Sequence, residues 1–256
     1  MERELPTVNL DGTDFIVDVN KLELREKANP SNVITLEDMS DIGDGYVYDR
    51  LIIPEFVKLD PEGMSAKYKI DDLTDKTDFD LMVDQEAFDK RVKGMLPTVD
   101  IAGHVFYVDL KMDMMRPHDD FLSNGIVFDE IEHYFSEEDN AYIIPYNPVT
   151  REFQEFESDH DKITEFPKDL IAVQFPFQKD LDPIGWNRMG GWDIKDDLKQ
   201  IGLQSHFEAK ILPWGETWVA DIIKENLERQ NKQEKIKKPE VKPEPPKVQK
   251  NKGRKM

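Results

Sequence analysis

The sequence of 256 residues contains no cysteine, which excludes disulfide cross-links, zinc ribbons and a thiol nucleophile. It also contains no apolar run near the roughly 18 residues that a membrane-spanning helix requires. The first residues, MERELPTV, lack the basic segment and apolar stretch of a secretory signal. We therefore expect a soluble, cytoplasmic protein that makes no contact with a membrane.

Common catalytic and phosphate-binding motifs are missing as well. The sequence has no Gly-x-x-x-x-Gly-Lys-Ser/Thr or Gly-x-Gly-x-x-Gly loop, no His-Glu-x-x-His and no Gly-x-Ser-x-Gly. The acidic loop 41–49 does not fit a calcium site, because Gly43 and Gly45 occupy positions that need oxygen-bearing side chains. We expect no cofactor, and binding rather than catalysis.

Charge is distributed unevenly along the chain. Residues 229–256 carry 11 Lys or Arg against 3 Asp or Glu, whereas the remainder carries 23 basic and 51 acidic residues, a net charge of −28. The C-terminal stretch is rich in Lys, Glu and Pro and has little to bury, which predicts a disordered basic tail. Weak nucleic-acid binding is expected through this tail alone, since the acidic body repels phosphate.

The strongest positive signal is an internal repeat. Residues 5–18 (LPTVNLDGTDFIVD) and 96–109 (LPTVDIAGHVFYVD) are identical at eight of fourteen positions, where about one identity is expected by chance. Each stretch places a Gly-containing two-residue turn between alternating apolar residues, which predicts a β-hairpin. The predicted core-facing residues are Val8, Leu10, Phe15, Val17 and Val19 in the first copy, and Val99, Ile101, Phe106, Val108 and Leu110 in the second.

The similarity continues beyond the hairpins. Residues 50–63 and 169–185 share Leu-Asp-Pro-x-Gly, in which we expect a turn with the Asp capping the next segment. Residues 77–94 resemble 205–227, and each is predicted to be a short strand followed by a helix. Asp84 is predicted to cap the first of these helices, and Thr217 the second, which would bury Trp218, Ile222 and Leu227.

These patterns predict an α+β protein made of two tandem homologous modules and a tail. The first module spans 1–94, the enlarged second module 95–228, and the disordered tail 229–256. Each module is predicted to contain a β-hairpin, further strands and one or two short helices. Part of the extra length of the second module is predicted to form another hairpin around Asn147-Pro148.

All five histidines and all four tryptophans fall in the second module, so a specific site is expected there. The candidate catalytic residues are His118, Asp119 and Asp120, which fit a metal-binding or general-base cluster as well as a capped turn. The candidate metal ligands are Glu130, His133 and Glu137, whose Glu-x-x-His spacing also suits a solvated helix face. His160 in ESDHD is a further candidate of the same kind.

The tryptophans are candidate binding residues. Trp186, Trp192, Trp214 and Trp218 stand beside Gly and Pro in predicted loops, where they can form a recognition surface or close the end of a small core. An acid and a base also recur at a seven-residue spacing, as Asp18 with Arg25 and Asp109 with Arg116. We expect a repeated structural ion pair there rather than a catalytic pair.

The segment 96–128 (LPTVDIAGHVFYVDLKMDMMRPHDDFLSNGIVF), with IPYNPVTREFQEF and LDPIGWNR further on, resembles a group of uncharacterised proteins from Bacteroidota. Some members of that group are carried on mobile genetic elements. The resemblance implies an accessory protein of plasmid, phage or transposon biology. It implies no activity, cofactor or site residue.

We therefore predict a non-catalytic binding or adaptor protein with an unknown protein partner, accessory to a mobile element. One alternative is an acidic mimic of DNA that inhibits a DNA-handling protein, which requires carboxylates concentrated on one elongated face. Another is a metal-dependent hydrolase, which requires the second-module histidines to converge in one pocket with a further acid or histidine.

Overall fold

A computed structural model describes residues 3–120, 123–156 and 160–237. The chain divides into two compact units. The larger is formed from Met1–Glu155 and Asp169–Leu212, and the smaller from Phe156–Lys168 and Pro213–Met256. Sheets and helices both contribute, so the predicted α+β class is confirmed at that level.

The first half of the larger unit contains two antiparallel sheets and four helices. The four-stranded sheet follows chain order, with β1 (Thr7–Leu10), β2 (Thr13–Asp18), β3 (Glu23–Glu26) and β4 (Val33–Thr35). The three-stranded sheet is also in chain order, with β5 (Ser40–Asp41), β6 (Gly45–Tyr48) and β7 (Leu51–Pro54). The helices that follow are α1 (Phe56–Leu59), α2 (Pro61–Tyr68), α3 (Asp78–Met82) and α4 (Gln85–Val92).

The second half begins with a five-stranded sheet in the order β11-β10-β9-β8-β16. Its strands are β8 (Thr98–Ile101), β9 (His104–Asp109), β10 (Met114–Pro117), β11 (Ile126–Val127) and, from much later in the chain, β16 (His206–Glu208). The last of these runs parallel to β8, whereas the other neighbours are antiparallel. Helix α5 (Phe128–Ile131) follows β11.

A second five-stranded sheet has the order β12-β13-β15-β17, with β14 also paired to β13. Its strands are β12 (Phe135–Ser136), β13 (Ala141–Asn147), β14 (Glu152–Phe153), β15 (Ile171–Pro176) and β17 (Lys210–Leu212). The pairing of β13 with β14 is the extra hairpin predicted around Asn147-Pro148. Helices α6 (Gln178–Leu181), α7 (Pro183–Gly190) and α8 (Leu198–Ile201) complete this half, and α9 (Trp218–Lys237) belongs to the smaller unit.

Both repeated hairpins have the predicted geometry. Val8 lies opposite Phe15, and Val99 lies opposite Phe106. Both residues of each turn have positive φ, as a type I′ turn requires, and Gly at the second position adopts it without steric cost. The predicted inward faces are confirmed, since all ten residues are buried except the half-buried Val8.

The two Leu-Asp-Pro-x-Gly elements have the same local structure. Asp60 and Asp182 precede α2 and α7 with almost the same backbone angles, φ −145° and −144° with ψ 72° in both. Each carboxylate accepts a hydrogen bond from the backbone N–H three residues on, at Gly63 and Gly185. A Cβ at either glycine would lie within 2.2 Å of the capping carboxylate oxygen, so only glycine fits this close approach.

A basic residue from the segment before each hairpin completes these caps. Arg3 donates two hydrogen bonds to the buried Asp60, and Arg91 donates two to Asp182, at 2.8 and 2.7 Å. The Asp182 side chain is fully buried and that of Arg91 is 12% exposed. A buried carboxylate is tolerated only when it is paired and hydrogen-bonded, and these contacts supply both requirements.

Several sequence-based predictions need correction. Residues 78–82 form a helix rather than a strand, because Thr77 and Asp80 make a capping box that starts one. Arg116 pairs with Asp109 at 3.0 Å as predicted, but Arg25 pairs with Glu23 rather than with Asp18. Glu23 lies two residues before Arg25 on β3 and supplies this partner. The residue two positions before Arg116 on β10 is Met114, which has no charge to offer.

The C-terminal region also differs from the prediction. The predicted tail began at residue 229, but α9 continues to Lys237, because the sequence there is rich in Glu, Lys and Gln and has no proline before residue 239. Residues 238–256 lie outside the described residues. The buried apolar residues described on α9 are Val219 and Ile223, and Asn226 is buried as well, whereas Ile222 is half-buried and Leu227 is exposed.

Candidate functional site

The predicted catalytic residues lie on the loop that follows β10. His118 is exposed, and its ring lies against that of Tyr107 with 5.0 Å between centroids. Asp119 is exposed and pairs with Arg151 at 3.3 Å, while Asp120 is half-buried. An ion pair with arginine therefore occupies one of the two carboxylates that could have assisted the histidine.

The predicted metal ligands are all exposed. Glu130 lies on α5, His133 lies in the 3₁₀ turn after it, and Glu137 follows β12. The Nε2 atom of His133 is 4.0 Å from a carboxylate oxygen of Glu155, and its ring contacts Tyr134. Within the described ranges, no group of three or more His, Asp or Glu has a geometry that could hold a metal ion.

The remaining histidines have separate environments. His104 is 2.9 Å from the hydroxyl of Tyr146, and His206 Nδ1 is 2.9 Å from the hydroxyl of Thr98. The side chain of His160 lies outside the described residues. Of the histidines whose side chains are described, His118 and His206 line the same cavity.

Two of the four tryptophans belong to the larger unit. Trp186 on α7 is half-buried and packs edge-on against Phe177, with 5.5 Å between ring centroids. Trp192 is 56% exposed and its ring lies so close to Gly190 that a Cβ there would be 2.5 Å from it. Trp192 therefore presents more of its surface to solvent than a core residue does.

The other two tryptophans pack within the smaller unit. Trp214 and Trp218 both contact Phe156, with 5.7 Å between ring centroids in each pair. All three are partly buried against a small core of Ile163, Val219 and Ile223. Trp214 and Trp218 therefore close the end of a small core, which is one of the two roles predicted for them.

A cavity of about 420 Å³ lies where the C-terminal part of α4 and residues 95–98 meet the β8–β9 hairpin and the segment 203–206. Apolar side chains form much of its wall, together with basic, imidazole and uncharged polar groups. Among the described residues, the single acidic residue in its lining is Asp182, which already binds Arg91. The lining residues are Ala87, Lys90, Arg91, Met95, Leu96, Pro97, Thr98, Val105, Tyr107, His118, Asp182, Leu203, Gln204, Ser205 and His206.

In the second half of the chain, a late segment adds a strand to one edge of each of the two sheets. β16 pairs in parallel with β8, so that Phe207 lies opposite Val99. β17 follows after one residue and pairs antiparallel with β15, so that Ile211 lies opposite Val173. One continuous segment, residues 205–212, therefore supplies an edge strand to both sheets.

The first half has no such segment in the part of the chain that the structure describes. There, β1 pairs with β2 alone and β7 pairs with β6 alone, so both are edge strands. Ile52 at the centre of β7 is 72% exposed, although it is apolar. Val8 of β1 and Leu51 of β7 pack against the same core, so the two free edges belong to one packed region.

A buried carboxylate stabilises the region next to β7. Asp78 is fully buried and accepts hydrogen bonds from the Tyr46 hydroxyl at 2.7 Å and from the backbone N–H groups of Phe56 and Val57, at the start of α1. Burial raises the pKa of Asp78 above its ordinary value, and these hydrogen bonds oppose the rise. Burial also raises the pKa of Tyr46, so its hydroxyl stays protonated and donates to the carboxylate.

Sequence reasoning missed both the cavity and the free edges. The pairing of β16 with β8 joins residues 108 positions apart, and His206 and Thr98 of this pair line the cavity. The available signal was the short alternating stretch His206–Glu208, which was aligned with residues after Thr77 that form a helix.

Comparison of the chain with protein-family models, curated proteins and solved structures finds no match in any of the three. Among the described residues, no helix combines the length and apolar character needed to cross a membrane.

Proposed function

We propose that this protein is a non-catalytic, protein-binding adaptor built from two duplicated modules. In this proposal the first module binds an extended segment of a partner protein, which adds a strand to the free edge of β7. The observation that carries the proposal is the contrast between the modules. The second module pairs residues 205–212 with one edge of each of its sheets, whereas in the described part of the first module the matching edges of β1 and β7 have no paired strand, and Ile52 is exposed.

The duplication is supported by matching pairings as well as by sequence. Strands β1 to β4 and β8 to β11 have the same order and direction in their sheets. In the following sheets, Tyr46 lies opposite Ile53, and Tyr142 lies opposite Phe175. The aspartate caps and their arginine partners recur at the same place after β7 and β15.

This correspondence identifies which edge positions are equivalent. If Ile53 matches Phe175, then Ile52 matches Gln174, which lies opposite Lys210 of β17. The first module therefore has an exposed isoleucine where the second has a polar residue already paired with a strand. An exposed apolar residue on an unpaired edge strand favours association with another strand. β7 is short and ends at Pro54, so the pairing that we propose centres on Ile52.

Charge indicates the chemistry of the partner segment. Residues 1–94 contain 12 basic and 23 acidic residues, a net charge of −11. A basic extended segment with an apolar side chain near Ile52 would gain attraction on approach and cover the isoleucine once paired. We therefore propose that a basic extended segment of a different protein binds at the edge of β7.

Fluorescence anisotropy with a synthetic peptide tests this proposal directly. The probe is a labelled peptide of residues 204–212 carrying Glu208→Lys, because this segment already fits the equivalent edges of the second module. Saturable binding to the full chain is expected. Ile52→Lys, which adds a charge to the edge, should weaken the binding by about fivefold or more.

Ile42→Lys is the matched control, because Ile42 is also an exposed isoleucine but lies in the turn between β5 and β6. That variant should bind the peptide as the unmodified chain does. Absence of binding, or equal binding by the Ile52→Lys chain, would contradict strand addition at β7. Self-association of the unmodified chain that Ile52→Lys abolishes would instead identify a second copy as the occupant.

The accessory role in mobile-element biology stays a prediction of the sequence resemblance. A hydrolase would need His118 or His133 to converge with further acids or histidines. In the described part of the chain, the cavity that joins His118 and His206 has a single carboxylate, and Arg91 binds it. We therefore prefer the adaptor to the hydrolase.

A further inference from the structure

The cavity beside β8 has a composition unlike the rest of this acidic protein. Two fixed cations, Lys90 and Arg91, and two imidazoles, His118 and His206, line it together with one carboxylate. The other lining groups are apolar or uncharged, among them Met95, whose side chain is 60% exposed. An apolar cavity with a few convergent polar groups is the usual form of a small-molecule site.

The hydrogen bonds in the cavity wall leave donors available. Arg91 uses Nε and Nη2 to bind Asp182, which also accepts from Gly185. The Nδ1 atom of His206 is engaged with Thr98, which leaves Nε2 as the second ring nitrogen of this exposed side chain. Lys90 pairs with Glu86, but the Glu86 side chain is largely exposed and that of Lys90 is half-buried, and pairs in contact with solvent contribute little. A ligand can therefore compete for Lys90.

The charges in and around the cavity limit the charge of the ligand. Lys90 forms an ion pair with Glu86, and Arg91 forms one with Asp182. Because these acids already offset the two cations, a ligand with one negative charge suits Lys90 and the two imidazoles better than a ligand with two. The volume of about 420 Å³ is that of a small-molecule pocket and accommodates an apolar group of about eight carbon atoms beside a head group.

We propose that this cavity binds a small amphipathic carboxylate, with the carboxylate held by Lys90 and His206 and the apolar group against Met95 and Leu203. The site lies wholly in the larger unit and does not depend on strand addition at β7. An apolar chain without the charge, or with a positive charge, fits the same wall but not the basic groups.

Isothermal titration calorimetry of the full chain with sodium octanoate tests the proposal, with 1-octanol and octylamine as probes of equal chain length. Octanoate should bind with one site per chain and about tenfold more tightly than octanol, while octylamine should not bind. Equal affinities for octanoate and octanol, tighter binding of octylamine, or no saturable binding of octanoate would overturn it.

Matched variants locate the binding. Lys90→Gln and His206→Gln should each weaken octanoate binding about fivefold or more. Lys93→Gln and His133→Gln should leave it unchanged, because these residues are exposed and lie outside the cavity lining. The imidazole NMR signals of His118 and His206 should shift on addition of octanoate, and that of His133 should not. Shifts confined to His133, or unchanged affinity in both cavity variants, would contradict the assignment.

Discussion

Buried aspartates stabilise the larger unit in two electrostatically opposite ways. Burial favours the protonated form of Asp60, but the hydrogen bonds from Arg3 and from the Gly63 N–H outweigh it, so the pKa of Asp60 is lowered. Burial dominates at Asp78, which accepts hydrogen bonds from the neutral Tyr46 hydroxyl and from two backbone N–H groups, and its pKa is raised. The stabilising effects of these two carboxylates therefore depend on pH with opposite sign.

We predict opposite pH dependences for two amide variants. A lowered pKa adds stability that is present above the ordinary Asp pKa and is lost as pH falls through the folded value. A raised pKa makes the folded state lose stability as pH rises from the ordinary value through the folded one. Between about pH 3 and about pH 6, the free energy of unfolding of the unmodified chain should rise relative to Asp60→Asn and fall relative to Asp78→Asn.

Urea denaturation of the three chains at each pH measures these differences. Comparison with each variant removes the contribution of the other carboxylates, which all three chains share. A difference of the same sign for both variants would contradict the assigned environments of Asp60 and Asp78.

Among the secondary-structure elements, short sequence patterns predict the hairpins and helix starts that depend on interactions between neighbouring residues. The Gly-containing turns and alternating apolar residues were sufficient for both hairpins, because turn geometry fixes the register of a two-residue hairpin. The Thr77–Asp80 capping box is a local signal for the start of α3, whereas the similarity of residues 77–94 to 205–227 predicts a strand there. The local signal agrees with the structure, and the similarity does not. On α9 the apolar residues are close enough in sequence to allow more than one inward face, and only tertiary packing selects between them.

The inward face of α9 leads to a second prediction. Ile223 is 8% exposed and packs in the core of the smaller unit, whereas Leu227, which the sequence placed on the inward face, is 42% exposed. Ile223→Ala should cost about 2–4 kcal/mol of the stability of this unit, and Leu227→Ala about 0.5 kcal/mol or less.

Hydrogen exchange of residues 218–227, recorded as the temperature is raised, measures the stability of the smaller unit in both variants of the full chain. The smaller unit has its own core, so the exchange should report its stability even if the larger unit stays folded. A larger loss in Leu227→Ala than in Ile223→Ala would mean that the helix buries the other face.

At the scale of the whole molecule, the two halves differ most in how their sheets end. The second half carries residues 205–212 to the edges of β8 and β15, and this pairing lies beyond what sequence patterns can predict. Contacts between residues more than a hundred positions apart depend on the arrangement of all the intervening elements. The proposed binding edge at β7 follows from this difference between the halves. Three of the tryptophans that the sequence favours pack against other aromatic or apolar side chains, and most of the histidines lie in separate environments.

Hydrogen–deuterium exchange with mass spectrometry tests the proposed strand addition at β7. In the part of the chain that the structure describes, β7 (Leu51–Pro54) pairs with β6 alone, whereas β15 (Ile171–Pro176) has a paired strand on each side. We expect residues 51–54 to exchange faster than 171–176 in the chain alone, and we expect the Glu208→Lys peptide of residues 204–212 to slow exchange in 51–54 without changing 171–176. Equal protection of the two strands without peptide, or peptide protection confined to 171–176, would contradict it.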